Sequence, residues 1–503
     1  MKTAGIKNII VQAGGLGSRL ESLTRNRPKC LVPIDNIPII FHLFKKFPKS
    51  TFTIIADYKA DILEKYLSIF AEVKYRIVIA DKKGTSSGIK TAISDLKDEP
   101  FMIIWSDLLL GESFKIPETN GNYIGISNTF ECRWSFKNNE CIKEPSIKNG
   151  IAGLFIFKSP NEIKNIPNEG GFVNWLKSEN IKFTRLELSD TKEIGTLLAY
   201  ELSESEKQKC RPFNRIKFFD DHVIKYPITK QGEEIAKFER NWYKTISKYK
   251  YKHMPKIYQY EPLKIERIFG KNIFEYNNFT QTQRVKILEK IIESIKELHE
   301  LETPNKANTQ DCYENYFSKT FDRIEKVKKL IPFSDNEHIT INNKEYKNVF
   351  FVKELLEKKI KQICPAYFKI IHGDPTFSNI MLNESNIEPM LIDPRGYFGK
   401  TKIFGDEDYD WAKLYYSIVG NYDQFNQRNF SLEISDTSVN LDIMSNNWED
   451  VENDFFKITD SNKEKIMLLH ALIWLSLTTY AWEDYDSICG AFYKGIIELN
   501  KVI

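Results

Sequence analysis

Through the first two-fifths of this chain, short apolar runs alternate with amphipathic segments, a pattern that few architectures accommodate. Residues 7–12, 51–56, 75–80 and 101–105 read as buried strands, and residues 60–70 carry the spacing of an amphipathic helix. Strands alternating with helices predict an α/β fold, a mainly parallel sheet with helices on both faces. Ligands of such sheets lie beyond the carboxyl ends of the strands. The residues that directly follow each strand are therefore the first candidates for a site.

The first strand runs into Ala13-Gly14-Gly15-Leu16-Gly17-Ser18-Arg19-Leu20. Without side chains at Gly14, Gly15 and Gly17, backbone N–H groups can approach phosphate oxygens closely. Arg19 and Lys29 add cations, and Asp107 closes the apolar run 101–105 at a ligand position. Further along come Pro28-Lys29-Cys30-Leu31-Val32-Pro33, Gly84-Thr85-Ser86-Ser87-Gly88, Ile151-Ala152-Gly153-Leu154-Phe155 and Glu193-Ile194-Gly195-Thr196. By these segments and their order, residues 5–200 resemble the sugar-phosphate and phosphocholine nucleotidyltransferases. The resemblance implies a Rossmann-like domain over residues 1–203. In it Gly14, Gly15, Gly17, Gly84 and Thr85 bind the nucleotide, and Arg19 and Lys29 act in catalysis by stabilising the leaving pyrophosphate. It also implies Mg2+ on Asp107 and Glu193, and an acceptor phosphate on Lys143. Two departures stand out: Glu193 replaces the family's Asp, and Lys143-Glu144-Pro145 stands where the family has Glu-Lys-Pro.

A polar stretch around residues 202–212 marks a domain junction. After it, residues 215–219 and 222–226 read as strands, 233–249 as a helix and 263–269 as a third strand. From there the pattern is mostly helical, interrupted only around Ile371-His372-Gly373-Asp374-Pro375-Thr376-Phe377-Ser378-Asn379 and Leu391-Ile392-Asp393-Pro394-Arg395-Gly396. Phosphoryl transfer from ATP needs a carboxylate to position the attacking hydroxyl and an amide and a carboxylate to hold Mg2+. Residues 212–425 resemble the aminoglycoside phosphotransferase and choline kinase superfamily through this pattern. The resemblance implies a two-lobed, kinase-like α+β domain over residues 204–503, with an N-lobe at 212–270 and a helical C-lobe at 271–503. Asp374 is then the base, and Asn379 and Asp393 are Mg2+ ligands. Lys225 binds the ATP phosphates beside Glu239, preferred to Glu234, and Glu266 to Ile268 form the hinge that binds adenine. His372 orients the loop, His299 packs, and Asp410 supports the larger lobe. Pro394-Arg395 replaces the choline-kinase Trp-Glu or Phe-Glu, so the acceptor stays open among amino alcohols, polyols and sugars.

Composition narrows the partners. With 72 basic against 69 acidic residues, bulk electrostatics do not favour nucleic acid. The seven cysteines lack metal or disulfide spacing, and no signal peptide opens the chain, so a cytoplasmic location is expected. Residues 466–482 are apolar but short, which predicts a buried helix rather than a membrane span. Taken together, the expectation is a bifunctional enzyme. ATP phosphorylates a small alcohol, and CTP then converts the phosphate to CDP-X and pyrophosphate. The resemblances imply a use in capsular or other cell-surface glycan synthesis. Two alternatives remain open: a UTP- or dTTP-dependent sugar-phosphate enzyme with a sugar kinase, or one domain acting as a non-catalytic regulatory module.

Overall fold

Burial on both faces places three of the apolar runs at the centre of one sheet. Asn8–Gln12, Thr51–Ala56 and Phe101–Trp105 pair in parallel with Asn8–Gln12 in the middle, and Lys74–Ile79 extends the outer side. The helix Ala60–Phe70 falls where its periodicity places it. Ile10, Ile55, Ile103, Phe155 and Phe157 share one apolar cluster, the continuous burial expected of strands covered on both faces.

The expectation of a mainly parallel sheet needs correcting, because the sheet is mixed. Gly150–Phe157 runs antiparallel to Phe101–Trp105, and Tyr123–Ser127 antiparallel to Gly150–Phe157. The path between strands sets their direction, and residues 106–149 return the chain to the carboxyl end of Phe101–Trp105. Parallel neighbours need long crossovers, whereas antiparallel ones need only tight turns. Ser135–Lys137 and Glu140–Ile142 are joined by Asn138 and Asn139, both left-handed with φ 52° and 66°, the geometry of a two-residue hairpin.

The computed structural model describes residues 6–205, 214–383 and 387–503. They divide into one unit of Met1–Gln208 with Glu483–Tyr485 and another of Lys209–Trp482 with Asp486–Ile503. The helix Leu197–Ser205 reaches into the stretch read as a polar junction; residues 206–212 of that stretch lie outside the described residues.

The second unit opens with the sheet Asn214–Phe218, His222–Pro227, Leu263–Glu266 and Ile257–Tyr260, in that order. The strand predicted over 263–269 ends at Glu266, and Ile257–Tyr260 is a strand that periodicity did not flag. The helix predicted over 233–249 spans Lys230–Ile246, and the Thr229 side chain caps it by accepting from Gly232 N.

The remainder is less uniformly helical than its pattern suggested. His338–Ile341, Lys344–Lys347, Phe430–Ile434 and Val439–Ile443 form a second four-stranded sheet. Its first hairpin again turns on two left-handed asparagines, Asn342 and Asn343. The apolar stretch near the end lies mostly in the buried helix Lys463–Leu477. No helix among the described residues is long and apolar enough to cross a membrane.

Candidate functional sites

In the first unit, register sets Gln12 beside Ile55 on one flank and Trp105 on the other. The chain fills one flank of the central strand and then crosses to the other. That is the switch point at which open α/β sheets bind ligands. Both the glycine loop after Gln12 and Asp107 after Trp105 leave the sheet there. The loop leads into the 3₁₀ segment Ser18–Thr24, rather than an α-helix. A Cβ on Gly15 would meet no atom within 4 Å, so its backbone borders open space, whereas one on Gly14 would press on Asp57 and one on Gly17 on Thr24.

Glu193 reaches Asp107 through a short antiparallel pairing, Lys192–Glu193 against Leu108–Leu109, with Ile194 N donating to Asp107 O at 2.8 Å. Lys29 Nζ lies 2.5 Å from Asp107 Oδ2, and Arg19 Nη2 lies 3.6 Å from Glu193 Oε1. Burial, followed by the charge of Asp107, raises the Glu193 carboxyl above its ordinary value, and Lys29, Arg19 and Arg133 oppose the shift. Two neighbouring carboxylates that repel one another suit Mg2+, which takes one or two carboxylates and fills its other positions with water and phosphate. Asp107 and Glu193 fit that donor set.

Other expected residues take different places. Gly84 sits against the 170–171 turn: with φ 101°, a Cβ there would come within 2.3 Å of Gly170 O. Thr85 Oγ1 accepts from Phe172 N at 2.8 Å. Both therefore clasp one loop to another, whatever they do for a nucleotide. Lys143 is exposed beyond the hairpin strand Glu140–Ile142, and no hydrogen bond or ion pair among the described residues joins it to Asp107 or Glu193. Sequence reasoning missed Arg133, whose charge acts on Glu193, and Gln12, whose buried amide oxygen has no partner among the described residues. Gln12 shared with Asp107 the signal of a polar residue closing an apolar strand.

In the second unit, three predicted residues converge. Lys225 Nζ lies 2.7 Å from Glu239 Oε1 and 2.6 Å from Asp393 Oδ1. Glu239 is buried on the helix face that also buries Trp242 and Tyr243, while Glu234 is exposed. Burial disfavours the Lys225 ammonium, but the charges of Asp393 and Glu239 outweigh it and raise the pKa. The loop after Asp393 packs on the same helix. Gly396, at φ 72°, comes so near that a Cβ would lie 2.3 Å from Phe238 O, which no side chain would allow.

The Asp374 loop is built from beneath. Buried Asp410 accepts from His372 N at 2.8 Å and Gly373 N at 2.7 Å, and pairs with His299 Nε2 at 3.0 Å. His299 is thus more than a packing residue. Burial alone would lower its pKa, but the hydrogen bond to Asp410 and the charges of Asp410 and Glu407, the latter 3.6 Å from Nδ1, raise it. His372 is the opposite case, with burial holding it below the ordinary value. As a neutral ring its Nε2–H donates to Ile392 O at 3.0 Å, while Nδ1 accepts from Asp374 N at 3.3 Å. That makes it an orienting group.

Asn379 Nδ2 donates to Asp374 O at 2.8 Å and Asp374 Oδ2 at 3.0 Å, so its amide oxygen is the atom left to face a cation. Ile392 N donates to Asn379 O at 2.9 Å and draws Asp393 alongside. Asn379 and Asp393 are oxygen donors of the kind Mg2+ accepts. Lys413 Nζ meets Asp374 Oδ1 at 2.9 Å, a partner no local pattern announced. Between the two inner strands of the unit's first sheet, register sets Glu266 opposite His222 and Lys225 opposite Leu263. Glu266 N donates to Lys256 O at 2.8 Å, and Ile268 follows in the loop before Gly270–Asn272.

Residues 7–116 match the family described as Nucleotidyl transferase. The chain is 29% identical over 108 residues to the bifunctional protein GlmU of Methanocaldococcus jannaschii, covering 21% of this chain and 26% of that protein. It is 33% identical over 116 residues to a mannose-1-phosphate guanyltransferase of Hypocrea jecorina, covering 21% and 32%. The chain thus spans about a quarter to a third of the length of these curated relatives. Among solved structures, HddC from Yersinia pseudotuberculosis aligns with a TM-score of 0.35 at 20% identity, over 40% of this chain and 99% of that one. The N-terminal unit carries a nucleotidyltransferase domain.

Proposed function

We propose that the chain is a two-step activating enzyme, in which the second unit phosphorylates a small alcohol with ATP and the first joins that phosphate to a nucleoside monophosphate. The observation that carries the kinase step is the convergence of Lys225, Glu239 and Asp393, with Asp374 and Asn379 on the neighbouring loop. Asp393 lies 168 residues from Lys225 in sequence, and the fold brings the two side chains together. In this reading Lys225 binds the ATP phosphates and Glu239 holds its ammonium in place. Asp374 takes the proton of the acceptor hydroxyl, whose oxygen attacks the γ-phosphorus while ADP leaves. The hinge at Glu266 and Ile268 receives adenine.

In the first unit the acceptor's phosphate oxygen attacks the α-phosphorus of the nucleotide, and pyrophosphate leaves. Arg19 and Lys29 stabilise the leaving charge, Gly14, Gly15 and Gly17 present backbone N–H groups, and Lys143 takes the acceptor phosphate. Asp107 and Glu193 in the first unit, and Asn379 and Asp393 in the second, would hold Mg2+, which would supply positive charge to neutralise the phosphates. CTP is the favoured nucleotide, from the resemblance to phosphocholine cytidylyltransferases, and the reaction is a cytoplasmic one serving cell-surface glycan synthesis. The guanyltransferase among the relatives favours a second reading, a sugar-1-phosphate acceptor with another nucleotide.

The test is to incubate the protein with ATP, CTP, Mg2+ and a pooled panel of alcohols and to look for a CDP-linked mass. Asp374→Ala should abolish ADP formation but leave nucleotidyl transfer to a pre-phosphorylated acceptor, and Asp107→Ala should do the reverse. Either variant retaining both activities would overturn the assignment.

A further inference from the structure

The surroundings of Asp374 hold more positive charge than the kinase step uses. Lys319 and Arg323 lie one turn apart on the helix Lys319–Val327 and so share a face. Tyr409 and Lys413 are related in the same way on the helix Glu407–Ile418. Tyr409 draws the two helices and the Asp393 loop together. The Lys319 ammonium lies 5.9 Å from its ring centre and the Arg395 guanidinium 5.4 Å, and Arg395 Nη1 donates to its hydroxyl at 2.9 Å. Arg395 Nη2 also donates to Asn315 Oδ1 at 3.1 Å, from the π-helical turn Glu314–Ser318 that directly precedes Lys319. Such turns recur at functional sites.

These cations are short of anions. Lys413 pairs with Asp374, but among the described residues no carboxylate forms an ion pair with Lys319, Arg323 or Arg395. Arg323 donates to a carbonyl, Ser476 O, at 2.7 Å, and Arg395 to a phenol and an amide. Burial, then the charges of Arg395, Arg323 and Lys413, push Lys319 well below its ordinary pKa, against only Asp374 among the principal opposing charges.

The aromatic rings are already engaged as well. Arg323 lies over Tyr480 at 4.9 Å, Arg395 over Tyr397 at 4.2 Å and Lys413 over Tyr416 at 5.4 Å. An aromatic cage for a quaternary amine needs faces free of other cations. Here the chain's own cations face them.

We infer that the acceptor of the proposed kinase step is an anionic alcohol, bearing a carboxylate or a phosphate besides its reacting hydroxyl, and that Lys319, Arg323 and Arg395 hold this second group. The inference rests on the reading of Asp374 as the base. A guanidinium fork matches either oxyanion in two-point geometry. The triphosphate has its own cation in Lys225, so these three are free for the acceptor. A cationic amino alcohol would approach Asp374 against like charges.

The experiment measures ADP release from ATP and Mg2+ with four acceptor pools: hydroxy and sugar acids, sugar and polyol phosphates, neutral polyols and sugars, and amino alcohols. Binding of ATP alone is followed in parallel, with Lys225→Met as control. Turnover should be confined to the first or second pool, and which of the two responds identifies the group. In that pool Arg323→Gln should raise KM for the acceptor about tenfold, the loss of one charge-assisted contact, with Arg323→Lys, which keeps the charge but not the fork, recovering only part of it. Equal or better turnover with neutral or amino alcohols overturns the inference and spares the kinase reading. Silence in all pools while ATP binds in a Lys225-dependent way overturns it too. A KM rise confined to ATP would assign the cluster to the triphosphate, again against the inference. Failure to bind ATP at all overturns the kinase reading itself.

Discussion

Replacing Asp410 by Asn keeps the shape of the side chain and removes its charge, and the consequence can be worked from its contacts. Two carboxylate oxygens serve three donors: Gly373 N at 2.7 Å, His372 N at 2.8 Å and His299 Nε2 at 3.0 Å. An Asn amide has one accepting oxygen. Its nitrogen can donate to His299 only if that ring gives up its proton, which the loss of the Asp410 charge favours. At least one backbone N–H of the loop then faces a donor in a site with no solvent access. An orphaned buried donor costs about 1–3 kcal/mol.

Taking about 2 kcal/mol, the loop should open roughly 30-fold more often. The assay is native-state amide exchange on the peptide spanning residues 371–379, which reads the loop without requiring the whole chain to unfold in one step. The sign with pH follows from His299, whose folded pKa is raised. Its contribution is fully present below the unfolded value of about 6.5 and is lost as pH rises through the folded value. The gap between wild type and variant should therefore narrow on going from mildly acidic to alkaline solution. Unchanged protection of residues 371–379 in Asp410→Asn would show that Asp410 does not hold the loop, and a gap that widens with pH would refute a charged His299.

Lys225→Met leaves Glu239 buried without its cation and should cost about 3 kcal/mol, part of which the double variant with Glu239→Gln recovers; denaturant unfolding that finds the double variant no more stable than the single would dissociate the pair. Gly84→Ala forces a Cβ to within 2.3 Å of Gly170 O at φ 101°, costing about 3 kcal/mol from overpacking and left-handed strain together; a melting curve that matches wild type would disprove the close clasp. Glu193→Gln should raise the Mg2+ concentration needed for half-maximal nucleotidyl transfer about tenfold, a typical loss for a disturbed metal site; an unaltered Mg2+ dependence would remove Glu193 from the metal site.

The elements of regular period were open to reading from the chain alone. Thr51–Ala56, Phe101–Trp105 and Ala60–Phe70 match the expected limits residue for residue, because a long apolar run or a clear helical stripe leaves little choice. His338–Ile341 and Val439–Ile443 escaped, being short half-buried alternations inside an otherwise helical pattern. Strand direction escaped for another reason. Whether Gly150–Phe157 runs with or against Phe101–Trp105 depends on the path between them, not on the composition of either.

The two sites divide in the same way. Lys225, Asp374, Asn379 and Asp393 could be singled out as candidates because the motifs that carry them are short and local, and the structure brings Lys225 against Asp393 and Asn379 against Asp374. Glu239 could be chosen over Glu234 because a helix has a buried side. Arg133, Lys319, Arg323 and Lys413 look, in sequence, like ordinary solvated charges. By itself the sequence determined the elements of regular period and the order of the candidate groups, since both are written in near neighbours along the chain. Only the tertiary structure decided that the sheet is mixed, that Asp410 holds the Asp374 loop, and that Lys319 gathers with Arg323, Arg395 and Lys413 where Lys413 meets Asp374. Burial and charge pairing depend on what distant segments bring to the same place.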